Sequence, residues 1–549
     1  MRSLDIATLS ILWDKLISIA DEGFAVLVRT SFSPIVREAL DATCQLFDDR
    51  GRAIAQAWSG PPSFTGTLPV TLANILKKFP PETLKQGDVL ATNDPWIGTG
   101  HLNDICIIRP IFREGELLAY SGAVSHLPDI GGALWSATAD DVYSEGLRIP
   151  PCKLMEAGVR NRLIFEFIES NVRTPEQTIG DIMSDIATVT IMDKLLNKMM
   201  LEYGITDPSA LWNAIIDRTG QTLMEELSRI PHGSYFNERY VEGFNEDHLI
   251  KCRVTVRGDK IVVDYDGTSS MSNKAINCPL QYTRAYTLYA VKCVLNPAVP
   301  NNHAIEAIVD VKAPEGCILN PRPPAATGAR HITGWHTPLV VWGALSQAVP
   351  DRVIAESGLP SSCTVKGEDR RGKPFIAIVV IGTGGTGARP EADGLDSTAM
   401  PTVTSLISVE QIESTSPLLV EYLRLIRDSG GAGKFRGGLA AAYSVRNISG
   451  GPIRVAFIGN QHKFPPKGIL GGLPGTPRRV FIDDKEVSPM GVYEVGTNSC
   501  FIVENAGGGG FLNPDERDFK SIRDDLDNGF ISEAAARNLY HLVEGGDNV

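Results

Sequence analysis

The chain has 549 residues, 43% apolar and 21% charged, with a formal net charge of −13. That length exceeds one ordinary hydrophobic core and predicts two to four domains of a soluble globular protein. The acidic balance, with no basic stripe, excludes an electrostatic nucleic-acid surface, and no apolar run reaches the roughly 18 residues of a membrane span.

The first predicted element is an amphipathic helix from Leu4 to about Val28, with Leu9, Leu12, Leu16 and Ile19 on one face. Asp5 and Asp14 interrupt the apolar centre that a signal peptide needs. The nine cysteines are scattered and form no C-x-x-C pair, which argues against a disulfide framework or a cysteine zinc site and makes the cytoplasm the expected compartment. Residues 43–56 read as a hairpin around the turn Asp48-Asp49-Arg50-Gly51. Strand-like runs follow at DICIIRPIF and LLAYSGAVSH, and a helical block covers roughly 160–230, with Thr174 as an N-cap ahead of Pro175 and Glu176.

Beyond residue 232 the alternating run LIKCRVTVRGDKIVVDYDGTS predicts an antiparallel meander, followed by a helix at TRAYTLYAVKCVL and the proline-rich stretch ILNPRPPAATGARH. The fold class expected is α+β and multidomain: a metal-binding α+β domain over 1–231, a mixed central domain over 232–374, a glycine-rich β domain over 375–510 and a helical tail over 511–549.

Gly382, Gly384 and Gly387 satisfy G-x-G-x-x-G after a strand-like run. The following ARPEADGLDSTAMP, with its prolines and further glycine, cannot open the helix that a dinucleotide site requires. No phosphate-binding loop of the G-x-x-x-x-G-K-[ST] type is present: Gly372-Lys373 runs into Pro374, and Gly433-Lys434 into Phe435. Any ATP chemistry through such a loop belongs to another chain. The clusters DSGGAGKFRGG and ENAGGGGF read as tight turns or close backbone packing.

Candidate chemistry concentrates in GTGHLND and AVSHLPDIGG. His101 and Asp104 lie on a glycine-flanked loop leading into one strand-like run, and His126 stands at the end of the next. If the two runs pair, both imidazoles reach one point. Two histidines with one or two carboxylates suit Zn²⁺, Mn²⁺ or Fe²⁺ better than Mg²⁺ or Ca²⁺. From spacing alone, each imidazole could equally hydrogen-bond its own loop. His331 and His336 read as structural or substrate-pocket residues. With no G-x-S-x-G elbow and no catalytic cysteine pattern, the chemistry points to a metal-bound water.

The ordered blocks RTSFSPIVREALDATCQLFDDRGRAIAQ, NDPWIGTGHLNDI, SHLPDIGG, NVRTPEQTIGDI, NCPLQYTRAYTLYAV, APEGCILNPRPPAA, GTGGTGARPEADGLD, DSGGAGKFRGG and ENAGGGGFLNPDERD resemble the hydantoinase B/oxoprolinase family. That family holds subunits of ATP-dependent lactam and imide hydrolases and a subunit of acetone and acetophenone carboxylases. The resemblance implies a divalent metal held by Glu38, His101, Asp104 and His126, with Asp41 and Asp129 as catalytic residues. It also implies an A-type ATPase partner that phosphorylates the substrate carbonyl, after which metal-bound water opens a small cyclic amide or imide. A ketone-carboxylase subunit, or a non-catalytic scaffold for the ATPase, are the competing readings. Where relatives often read Glu-Arg-x-Asp, this chain has Glu38-Ala39-Leu40-Asp41, which leaves open which carboxylate faces the metal. Glu38 is the preferred ligand, with Asp41 orienting a ligand or water.

Overall fold

The hairpin at residues 43–56 opens a seven-stranded antiparallel sheet. In the computed structural model, which describes residues 5–402 and 404–542, its strands are β1 (Ala42–Asp48), β2 (Ala53–Gln56), β3 (Val89–Thr92), β4 (Asp104–Arg113), β5 (Glu116–His126), β6 (Cys152–Glu156) and β7 (Val159–Arg160). They lie in the order β2-β1-β5-β4-β3-β6-β7. The turn between β1 and β2 is fixed by Asp48, whose carboxylate accepts the backbone N–H groups of Arg50 and Arg52. β4 and β5 coincide with the two apolar runs of the sequence, and most of their residues are buried because helices cover both faces of the sheet.

On one face lie the helices Ile6–Thr30 and Pro175–Glu202. The first is the expected N-terminal amphipathic helix, burying Leu12, Leu16, Ile19 and Leu27. Thr174 precedes the second as expected, but its side chain makes no capping hydrogen bond; Pro175 follows it at N1, where a missing N–H costs no helical bond. The other face is covered by the helix Pro62–Lys78, which also packs on the helix Leu280–Leu295 of the central region.

Asp185 sits on Pro175–Glu202, buried behind β5. Ser125 Oγ donates to it at 2.6 Å, and burial raises its carboxyl well above the usual carboxylate range. The native state therefore holds a proton that the unfolded chain releases above about pH 4. Its stabilising contribution is fully present below that pH and declines as pH rises toward the native pKa. We expect Asp185→Asn to gain thermal stability relative to wild type as pH increases from 5 to 8; parallel melting-temperature profiles for the two proteins would contradict this.

The central region forms a four-stranded sheet of Gly233–Val241, His248–Arg257, Lys260–Asp264 and Val309–Lys312, antiparallel apart from the last pairing. Alternation of buried with half-buried or exposed residues along His248–Arg257 matches the expected meander. The helices Leu280–Leu295 and His336–Leu345 pack together, and the second also lies against this sheet.

The C-terminal strands form two antiparallel sheets, Pro374–Val379, Ser362–Glu368, Ile453–Ile458 and Val492–Val495 in one, and Leu418–Leu425, Ala441–Asn447, Cys500–Glu504, Arg479–Ile482 and Lys485–Val487 in the other. Cys363, Val365, Val445, Val455, Phe457 and Phe501 belong to one buried apolar cluster. A boundary at 374/375 would cut the hairpin that pairs Ser362–Glu368 with Pro374–Val379, so the β region begins by Ser362. No helix opens in residues 388–402, and the glycine clusters are explained by close backbone approach. A Cβ on Gly437 would lie 2.0 Å from the Gly508 carbonyl oxygen, and one on Gly508 only 1.8 Å from that of Thr386. In the described part of the tail the α-helices are Phe519–Asp527 and Glu533–Leu539. None of the described helices is long and apolar enough to cross a membrane, and all nine cysteines are free.

Candidate metal centre

Strand pairing brings the dispersed polar residues together. β4 and β5 are neighbours, and Asp104 and His126 are partners in their register, so both side chains leave the same face of the sheet. His101, on the loop entering β4, folds over the same point. Asp104 Oδ1 lies 2.7 Å from His101 Nε2 and 2.9 Å from His126 Nδ1. All three residues are at most 2% exposed, and the three offer ligand atoms within 4.8 Å of one another.

The polar atoms around the triad fix its orientation. His101 Nδ1 meets the carbonyl oxygen of Gly328 at 2.9 Å, and burial, reinforced by Arg330, lowers the His101 pKa to about 4. The neutral ring therefore donates Nδ1–H to Gly328 and turns the lone pair of Nε2 toward Asp104. Burial would raise the Asp104 pKa, but Arg330 and the hydrogen bond from His126 Nδ1–H hold it well below the usual carboxylate range. Its second oxygen accepts from Thr99 Oγ1 at 2.6 Å and Arg330 Nη2 at 2.7 Å. A buried carboxylate thus faces a neutral imidazole lone pair. Among the described residues neither His101 Nε2 nor His126 Nε2 has a hydrogen-bond partner. Such atoms are costly to bury unpaired, and a cation satisfies them. The donor set, two imidazole nitrogens and a carboxylate oxygen, fits a divalent transition ion.

Around the triad is a cavity of about 80 Å³ whose walls include Phe64, Trp135, Tyr282, Tyr286, Arg330 and Trp335. Trp135 packs on His126 with ring centroids 4.8 Å apart and donates Nε1–H to Gly328 O at 2.8 Å. Tyr286 OH receives Trp335 Nε1–H at 2.9 Å. His331 also lines the cavity, and burial, with Arg330 nearby, holds its pKa well below the usual value. His336 is elsewhere, bonded to Arg239 and Asn460 in a buried cluster, so of the two histidines only His331 is a pocket residue.

The two upstream carboxylates separate. Asp41 lines the cavity, with Oδ2 3.9 Å from His126 Nδ1. Burial raises its pKa to about 6, against the pull of His126 and with the push of Asp104. Glu38 caps the short helix Pro34–Arg37 and does not line the cavity. Asp129, expected to be catalytic, lines the adjoining cavity instead. Its carboxylate is taken up by Arg173, with Nη2 to Oδ1 at 2.6 Å, and by the N–H of Gly131. Those contacts occupy both of its oxygens.

Arg330, Trp135 and Glu145 are site residues with no signal in the sequence, since none carries a telling spacing. Glu145 Oε1 accepts the backbone N–H groups of Thr327 at 2.7 Å and Gly328 at 2.6 Å, fixing the glycine whose carbonyl orients His101. Burial raises its pKa to about 7. We expect Glu145→Ala to weaken metal binding about 10- to 100-fold, the usual cost of losing a group that orients a ligand, while Glu145→Gln keeps the acceptor and most of the affinity. Equal metal affinity in Glu145→Ala and wild type, by titration of the apoprotein, would remove Glu145 from this role.

Comparison with known proteins agrees with the geometry. The model of the hydantoinase B/oxoprolinase family matches residues 5–514. An uncharacterized protein of Methanocaldococcus jannaschii is 30% identical over 98% of this chain and 96% of its own length. The B-type component of a putative D-/L-hydantoinase from a Pseudomonas species is 28% identical over 100% of this chain and 95% of its own. The crystal structure of the ATP-dependent caprolactamase from Pseudomonas jessenii superposes with a TM-score of 0.92 at 25% identity, covering 100% of this chain and 98% of that one. The chain is an enzyme and belongs to the hydantoinase B/oxoprolinase family.

Proposed function

We propose that this chain is the ring-opening component of a cytoplasmic, ATP-dependent hydrolase of a cyclic amide or imide such as a hydantoin, 5-oxoproline or a lactam. In this reading an A-type ATPase partner phosphorylates the substrate carbonyl, and the present chain is the B-type component. The observation that carries the reading is the buried His101–Asp104–His126 cluster, with two imidazole nitrogens left without hydrogen-bond partners among the described residues, inside an aromatic-walled cavity. When bound there, a divalent ion (Zn²⁺ or Mn²⁺, or Fe²⁺) supplies Lewis acidity and lowers the pKa of water from about 15.7 to about 7. His101 and His126 present nitrogen donors, and Asp104 an oxygen kept ionised by Arg330. Asp41 stands beside them as a carboxylate able to accept a proton at Oδ2. The rings of Trp135, Tyr286 and Trp335 exclude bulk water and offer flat walls to a small ring.

The test uses the complex with its ATPase partner. In ¹⁸O-labelled water, label should enter the product carboxylate, and omitting bicarbonate should leave the rate unchanged. Strict bicarbonate dependence with labelled carbon in the product would move the chain to ketone carboxylation; an active complex that tolerates loss of the triad would reduce it to a scaffold.

A further inference from the structure

One face of the strand Ser362–Glu368 runs from the triad cavity to the surface. Cys363 and Val365 enter the β core, so Ser362, Thr364 and Lys366 share the opposite face. Ser362 lines the triad cavity, Thr364 a small cavity of about 20 Å³ beside it, and Lys366 an outer cavity of about 460 Å³. The paired strand supplies Ile378, Ile376 and Pro374 in the same order. Trp135 and Ile378 border both inner cavities, and Arg173 and Ile376 border both outer ones. The lane spans about 13 Å from Ser362 to Lys366 at about 3.3 Å per residue. It narrows beside Thr364 to the space of about one water.

Two features along this lane point to a ligand. The hydroxyls of Ser362 and Thr364, on residues 8% and 2% exposed, have no hydrogen-bond partner among the described residues. At the outer end Lys366 stands directly opposite Arg454 across the antiparallel pair, an arrangement that destabilises a sheet unless an anion bridges the charges. Arg173 lines the same cavity. Partial burial, then Arg173 and Arg454, lower the Lys366 pKa. Glu368 also lines this cavity, yet the ion pairs of the described residues join Arg173 to Asp129 and give neither Lys366 nor Arg454 a carboxylate.

We propose that Arg173, Lys366 and Arg454 form an oxyanion site for a phosphate or phosphoryl group, at the outer end of a lane that Thr364 and Ser362 continue to the His101–Asp104–His126 cavity. The phosphoryl identity rests on the ATP-dependent reading above; the anion site rests on the geometry of its own charges.

The probe is inorganic phosphate, titrated calorimetrically into the full-length chain at low ionic strength. Wild type should bind it, and Lys366→Gln combined with Arg454→Gln should weaken binding at least tenfold, with the melting temperature unchanged or raised because a like-charge pair is gone. His126→Ala should bind phosphate as wild type does. Affinity of the double variant within twofold of wild type would overturn the site. In the holoenzyme, a phosphoryl group arriving on substrate predicts that the double variant consumes more ATP per ring opened. A departing phosphate predicts an unchanged ratio with loss of phosphate inhibition. A variant altering neither would also overturn the proposal. Phosphate binding that responds to the variants in a complex opening no ring would sink the functional reading and leave the anion site standing.

Discussion

Replacing His101 or His126 by alanine should strip most of the divalent metal from the purified protein, expected in the wild type at about one ion per chain. The physical reason is the sharing of Asp104 Oδ1 between the two imidazoles, at 2.7 and 2.9 Å. Each alanine removes a nitrogen donor and leaves the buried carboxylate to be balanced by Arg330, itself only 4% exposed. Loss of ring opening should exceed the roughly 10- to 100-fold typical of orienting groups, since a ligand itself is gone. Thermal unfolding should separate this from collapse of the fold: the variants should melt close to the metal-free wild type. Elemental analysis showing undiminished metal in both would refute the assignment.

Asp41→Asn should lower ring opening by about 10- to 100-fold, whereas Glu38→Gln should leave rate and metal content near wild type. The sequence favoured the opposite assignment, with Glu38 on the metal. The backbone puts Asp41, and not Glu38, on the cavity wall. Leu40 adopts a positive φ of 57°, uncommon outside glycine, and the reversal turns Asp41 into the cavity while Glu38 stays at the end of its short helix. The carbonyl oxygen of Asp41 then accepts the N–H of His126 at 3.1 Å, locking the turn to β5. Steady-state rates and metal content of the two variants decide the matter. Should Glu38→Gln lose metal and Asp41→Asn leave the rate unchanged, Glu38 returns to the metal and Asp41 loses its role as proton acceptor.

By itself the sequence determined the local elements and the faces they present. The apolar runs before and after the 113–116 turn predicted β4 and β5, and the positions of Asp104 and His126 at their outer ends made them cross-strand partners once the runs paired. The failed helix after Gly387 likewise excluded a dinucleotide loop from local chemistry alone. These features are legible because periodicity and turn residues act over a few positions. Tertiary structure alone decided which distant groups complete the site. Arg330 reaches Asp104 across 226 positions of chain, and Gly328 reaches His101 across 227. Glu145 acts through that same glycine, Gly328, and Asp129 is held by Arg173. No local pattern encodes those distances, because they follow from how the central region packs against the seven-stranded sheet and from one left-handed residue at Leu40.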